Sequence, residues 1–276
     1  MKTIITAVVA ALLVSALGVS ALADDTTQLG KDFSMTLGDK LWLNSWTTTL
    51  SSNHSSGGDH YTTMTRSGYG NIPNLSFRYK QAFLSMGYLA SGTYDFPQYT
   101  DMLNDAGAPK LETVSASASR SEFDLNMGYM FVPQLGVTIG YKNVTQNYTI
   151  TQSAPGVAFS GSGSTTHTYY NGVTFGITGS APIGNGFSLY GNGVGGFMAV
   201  TYSPSASSAD SAAYSASELG IAWRAERIPL SASFGYKYQI IDTKSGAVNN
   251  PAGSTLPTQT GTDVTQGYVL GLNYTF

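Results

Sequence analysis

Two groups of residues in this 276-residue chain are of types that do chemistry. The first lies in SSNHSSGGDH, residues 51 to 60, where His54 precedes Ser55 and Ser56. An imidazole beside hydroxyls can activate one of them for nucleophilic attack. Asp59 and His60 follow, and with His54 they could hold a metal ion. The surrounding Ser and Gly mark a solvated connection rather than a rigid site, and His167 stands alone elsewhere. No catalytic residue, metal ligand or cofactor is therefore assigned. The second group is Arg78, Lys80, Arg120, Glu122, Asp124, Lys142, Glu218, Arg224, Glu226 and Lys237, which fall on the polar sides of alternating segments. Both signs occur, as in a paired network that lines and rigidifies an interior.

The alternating segments must position these charges. Taking every second residue of 264–276 gives Phe276, Tyr274, Leu272, Leu270, Tyr268, Gln266 and Val264, against Thr275, Asn273, Gly271, Val269, Gly267, Thr265 and Asp263. A period of two is the signature of a strand, whose successive side chains point to opposite faces. The same rule sets Phe123, Leu125, Met127, Tyr129 and Phe131 against Glu122, Asp124, Asn126, Gly128 and Met130, and Leu219, Ile221 and Trp223 against Glu218, Gly220, Ala222 and Arg224. Short connections sit near residues 78–81, 132–134, 182–186 and 227–229. Longer ones rich in Ser, Thr, Asn and Gly span about 51–67, 96–112, 151–166, 203–212 and 244–262.

Short and long connections take turns, which predicts about ten strands, with 8 to 12 within reach of the pattern. A soluble barrel packs its large apolar residues inward and shows charge outward; a membrane barrel reverses this. Only 11% of the chain is Asp, Glu, Lys or Arg, and the polar faces are mostly Gly, Ser and Thr. A soluble surface normally carries about a quarter to a third charged residues, so the apolar face is expected to meet lipid. The expected fold is all-β: a closed antiparallel up-and-down transmembrane β-barrel over residues 24–276. Phe131, Trp223 and Phe276 near short-turn strand ends, with Phe187 opening a strand, would form an aromatic girdle.

Residues 1–23 read as a cleaved secretory signal peptide: Lys2, an apolar stretch, then Ala21-Leu22-Ala23 before Asp24-Asp25. Removing Lys2 with it takes the formal net charge from -3 to -4, and a mildly acidic exported chain is a poor nucleic-acid binder. With no Cys there are no disulfides.

The final strand, with Tyr268, Leu270, Leu272, Tyr274 and Phe276 at alternate positions, resembles the carboxy-terminal signature of Gram-negative outer-membrane β-barrel proteins. That resemblance implies insertion by the barrel-assembly machinery, residence in the cell outer membrane among its lipids, and loops free to meet an extracellular ligand. The leading functional expectation is a narrow, non-enzymatic, porin-like channel for small polar solutes or ions. One alternative is a structural or adhesin-like barrel with a plugged lumen. Another is an outer-membrane lipid hydrolase, a group whose members resemble one another in a His-x-Ser pair, here His54-Ser55-Ser56. Inside about ten strands, filling is the expectation from size, since wide aqueous channels appear only near sixteen. Inward Gly, Ser and Thr along 170–180 and the last strand argue for some open space.

Overall fold

The computed structural model describes residues 32–54, 58–105, 108–153, 163, 165–203, 210–244 and 261–276; residues 1–23, read above as a leader, lie outside them. Eleven strand segments follow in chain order: β1 Phe33–His54, β2 Gly58–Tyr79, β3 Ala82–Asp95, β4 Tyr99–Asp105, β5 Ala108–Val132, β6 Leu135–Ser153, β7 Thr165–Gly184, β8 Phe187–Ser203, β9 Asp210–Arg224, β10 Leu230–Lys244 and β11 Gly261–Thr275. Apart from β3 and β4, which both pair with β5, neighbours in sequence pair antiparallel, and β1 pairs with β11 to close the ring. β3 and β4 share one position, because β3 runs along the lower part of β5 and β4 along its upper end. The barrel therefore has ten staves, as the alternating connections require.

The short connections fall where expected. Asn185 and Gly186 both take positive φ, 53° and 79°, the conformation of the two-residue hairpin turn whose twist matches that of the flanking strands. A Cβ on Gly186 would also meet the Arg224 carbonyl at 2.5 Å. Two of the long connections differ from expectation. Residues 51–67 and 96–112 are mostly strand, since β1, β2, β4 and β5 continue the sheet upward almost to the hairpin tips. Ser, Thr and Asn there are compatible with a continued sheet. β8 likewise runs unbroken through Gly191, Gly193, Gly195 and Gly196.

Strands β5, β6 and β9 change character partway along. On β6 the outward residues Leu135, Val137, Ile139 and Tyr141 are exposed and apolar, whereas above them Asn143, Thr145 and Asn147 face out and Val144 and Tyr148 are buried inside. β5 does the same, with Phe123 to Phe131 outward below, then Ser115, Ser117, Ser119 and Ser121 outward and Val114, Ala116 and Ala118 buried above. On β9, Leu219, Ile221 and Trp223 face out, and higher up Ala212 and Tyr214 face in. The apolar face switches sides because the surroundings switch from hydrocarbon to water. Below the switch the barrel is a membrane barrel; above it, the strands form a water-surrounded barrel with an apolar core. The ten residues of β6 beyond Asn143 carry that part upward by about 25 Å at the usual strand rise and tilt.

The aromatic girdle is present at the short-turn end. Phe131, Phe187, Trp223 and Phe276 are all exposed there, Phe187 is level with Trp223 across β8 and β9, and the Tyr274 and Phe276 rings lie 4.8 Å apart. Phe276 N–H donates to the Met35 carbonyl at 2.7 Å, which locks the last residue against the first strand. Asp39 is an exposed polar exception on the outward face, between Leu37 and Leu41.

One junction is unlike the others. The β2–β3 ladder runs only from Tyr79↔Ala82 to Asn74↔Gly87 and stops beside Pro73, which has no N–H to give. Above it, β3 takes up one extra residue between Leu89 and Gly92. Side chains bridge the seam instead: the Tyr94 ring lies over Gly68 and Leu89 over Gly70, positions where a Cβ would collide with them. Gly186→Val, which imposes both strain and collision at a positive φ, should lower unfolding stability by roughly 1–3 kcal/mol in a urea titration of the detergent-folded protein. Asn185→Gly, which relieves a positive φ, should leave it near wild type.

Candidate functional site

Above the membrane switch the inward side chains meet across the lumen. Arg120 Nε on β5 donates to Glu122 Oε1 at 2.8 Å, and its Nη1 donates to Thr265 Oγ1 on β11 at 2.9 Å. Lys142 Nζ on β6 donates to Glu122 Oε2 at 2.7 Å and to Asp124 Oδ1 at 2.8 Å. Gln239 Nε2 on β10 donates to Glu122 Oε1 at 3.0 Å, and Gln146 Nε2 on β6 donates to Asp263 Oδ2 on β11 at 2.9 Å. Going round the ring, β10 stands five staves from β5 and β6 five from β11. These two direct bonds therefore join opposite walls, and the cross-section between them is filled.

Aromatic rings complete the seal. Trp42 and Trp46 are 0% exposed, and Tyr94, Phe96 and Tyr148 pack around Trp46. The Arg120 guanidinium lies 5.6 Å from the Trp46 ring centre, Lys237 Nζ 4.5 Å from that of Trp42, and Lys142 Nζ 5.3 Å from that of Tyr214. Cations placed over ring faces gain from the ring quadrupole as well as from their carboxylate partners. A second ion pair, Lys40 Nζ to Glu218 Oε1 at 3.0 Å, is backed by the Tyr190 hydroxyl donating to the same oxygen at 2.9 Å. Arg120, Lys142, Lys237 and Lys40 are matched in formal charge by Glu122, Asp124, Glu218 and Asp263. Such a balanced network is what a buried site needs if it is to hold charge at all.

Below the seal many inward side chains are smaller. Inward positions there are small, including Gly136, Thr138 and Gly140 on β6 and Thr174, Gly176 and Thr178 on β7. At the short-turn end a cavity of about 750 Å³ is lined by Ser34, Thr36, Ser76, Arg78, Lys80, Arg224 and their neighbours.

The ten expected lumen charges thus separate into groups. Arg120, Glu122, Asp124, Lys142, Glu218 and Lys237 meet inside the barrel. Arg78, Lys80 and Arg224 surround the lower cavity, exposed rather than paired in a buried network. Glu226 departs from expectation: it lies exposed on the connection between β9 and β10, beyond the last paired residue of β9, and lines no part of the lumen. Sequence reasoning missed Lys40, Asp263, Trp42 and Trp46. Trp42 and Trp46, on the face of β1 opposite Leu37, Leu41 and Leu43, would have marked the inward core, and Lys40 shares that face. Of the chemical candidates, His54 and Asp59 to His60 pair at the β1–β2 tip, but their side chains, and Ser55 and Ser56 altogether, lie outside the described residues. His167 faces outward, its Nδ1 2.6 Å from Asn147 Oδ1. Among the described residues no cluster of three His, Cys, Asp or Glu could hold a metal.

A closed ring of ten antiparallel staves with an outward apolar belt and an aromatic rim defines the class: an up-and-down β-barrel of outer-membrane type. No protein-family model and no curated protein matches the chain. Among solved structures, the outer membrane protease OmpT from Escherichia coli is similar at a TM-score of 0.54 and 14% identity, covering 88% of this chain and 97% of that one. A FadL homologue from Pseudomonas aeruginosa matches at 0.30 and 10% identity, over 88% of this chain and 90% of that one. The toluene transporter TbuX of Ralstonia pickettii matches at 0.32 and 10%, over 90% of each chain. The likeness to OmpT is one of fold.

Glu122 is the carboxylate that three donors share, so Glu122→Ala leaves Arg120 and Lys142 buried with one counter-charge fewer. It should cost about 3–5 kcal/mol of unfolding stability. Glu226→Ala, on the exposed connection, should change the same urea midpoint negligibly.

Proposed function

We propose that this chain is an integral outer-membrane barrel with a sealed lumen, serving as a structural and surface-interaction platform and not as a channel or an enzyme. The observation that carries this reading is the pair of hydrogen bonds, Gln239 to Glu122 and Gln146 to Asp263, between opposite walls of the ring. A narrow porin-like path would need an aqueous thread through that level. There the lumen instead holds Trp42, Trp46, Arg120 and Lys142, none more than 1% exposed. The height of the upper barrel supports the platform role, because long hairpins with polar outer faces lift the connecting loops clear of the lipid. Outer-membrane lipids around the belt, the barrel-assembly machinery during insertion and an extracellular ligand at the loops are the partners this reading calls for.

Folded protein in planar bilayers should give flat current traces. A Trp46→Ala/Gln239→Ala double variant, which removes one ring and one cross-lumen bond, should introduce discrete conductance steps. Steps of the same size from the wild-type protein would reject the sealed lumen. Replacing residues 245–260 by a short Gly-Ser link should abolish cell-surface attachment while leaving the folded band on a gel intact; unchanged attachment would reject the platform role for that loop.

A further inference from the structure

The lower cavity is where charge is left uncompensated. Arg78 reaches it from β2, Lys80 from the turn that follows, and Arg224 from the end of β9, four staves away on the other side of the ring. Asp32 is the carboxylate in the same lining, so three positive charges face one negative, a formal surplus of two. The Lys80–Asp32 contact, 3.7 Å between side chains 56% and 62% exposed, offsets little of this. Arg78 gives its Nε to the Lys80 carbonyl at 2.8 Å and keeps its two terminal nitrogens for another acceptor. Arg224 has no ion-pair or side-chain hydrogen-bond partner among the described residues. Glu226 and Arg227 on the neighbouring connection cancel each other and stand outside the lining.

The contrast with the seal above is the reason to expect a ligand. There the same chain matches four cations with four carboxylates; here it gathers three exposed cations around one hollow, and their summed field favours an anion. The hydroxyls of Ser34, Ser76 and Ser231 line the same space and can donate to an oxyanion. A volume of about 750 Å³ is of small-ligand size. Arginine's planar fork suits the tetrahedral oxygens of phosphate, to which it can donate two parallel bonds.

We propose that the cavity at the short-turn end of the barrel is a binding site for a phosphate dianion, with Arg78, Lys80 and Arg224 supplying the charge and the donors. The phosphate is either a free small molecule or the phosphomonoester headgroup of a lipid in the bordering leaflet. This goes beyond the sealed-lumen reading, which concerns the other end of the barrel.

The test is a calorimetric titration of the full chain, folded in uncharged maltoside micelles at low salt, with inorganic phosphate. One saturable site is expected. Arg224→Gln and Arg78→Gln should each weaken it by about tenfold or more, the loss of one charge-assisted contact. Arg227→Gln removes an exposed cation outside the lining and should leave the affinity unchanged. Repeating the titration in phosphatidylcholine nanodiscs with and without phosphatidic acid identifies the source. A free-phosphate site keeps its affinity in both, whereas a headgroup site loses it when the anionic lipid competes; either result upholds the site. A titration that does not saturate, or equal weakening by Arg227→Gln and Arg224→Gln, overturns the proposal in favour of diffuse surface electrostatics. Bilayer conductance bears on the sealed lumen alone, so the two readings fail separately.

Discussion

Hydrocarbon offers no hydrogen-bond partner to a peptide group, so every N–H and C=O within the belt must be met by a neighbouring strand. Much of this architecture follows from that constraint. The sheet has to return on itself, which β11 accomplishes by pairing with β1 from Thr36↔Thr275 to Thr47↔Val264. The connections at one end have to be tight, which the positive φ at Asn185 and Gly186 permits. With lipid outside, apolar bulk goes mostly to the outer face, and the lower interior mixes Gly, Ser and Thr with a few larger side chains such as Phe83, Met130 and Tyr190. The space at the bottom of the lumen is a by-product of that allocation, and it is where the cations of β2 and β9 come to face each other.

Where the strands leave the bilayer the constraint is replaced by the ordinary rule for a protein in water. Apolar side chains then gain by turning inward, and they do so on the same strands without a break in pairing. The seal is the result. Trp46, Tyr94, Phe96 and Tyr148 form an apolar core, and the Arg120, Glu122 and Lys142 cluster sits against it, its Arg120 guanidinium 5.6 Å from the Trp46 ring centre. The low dielectric that makes this cluster costly to break also fixes its geometry, since each partner has few alternatives.

Much of this was legible in the sequence. Strict alternation over 264–276 and 123–131 identified the strands, and the lengths of the connections gave the strand number and the end at which both termini of the sheet lie. The seal was not legible from the same pattern, because alternation assigns residues to two faces without saying which face meets which solvent. Val144 and Tyr148 look like irregular members of a polar stretch until the shift in phase after Tyr141 is read as a change of medium. The separation of Arg78, Lys80 and Arg224 from Arg120 and Lys142 depends on height along the barrel axis, which is set by strand tilt and stagger, and neither is written in a period of two. Glu226 was misplaced for a local reason: continuing the alternation of β9 past Arg224 carried it into a connection.

The ring's shortest ladder is not where the first and last strands meet. The β1–β11 ladder spans twelve residue pairs, whereas β2 and β3, consecutive in sequence, share six and rely above them on Tyr94 and Leu89 lying over Gly68 and Gly70. The covalent turn at Lys80–Gln81 thus does work that hydrogen bonds do at the other joins. Opening the polypeptide there and linking β11 to β1 would place the break in the chain on the least cohesive edge, whereas the break between last and first strands now falls at the longer β1–β11 ladder. The order of the strands along the chain is thereby part of what keeps the cylinder shut.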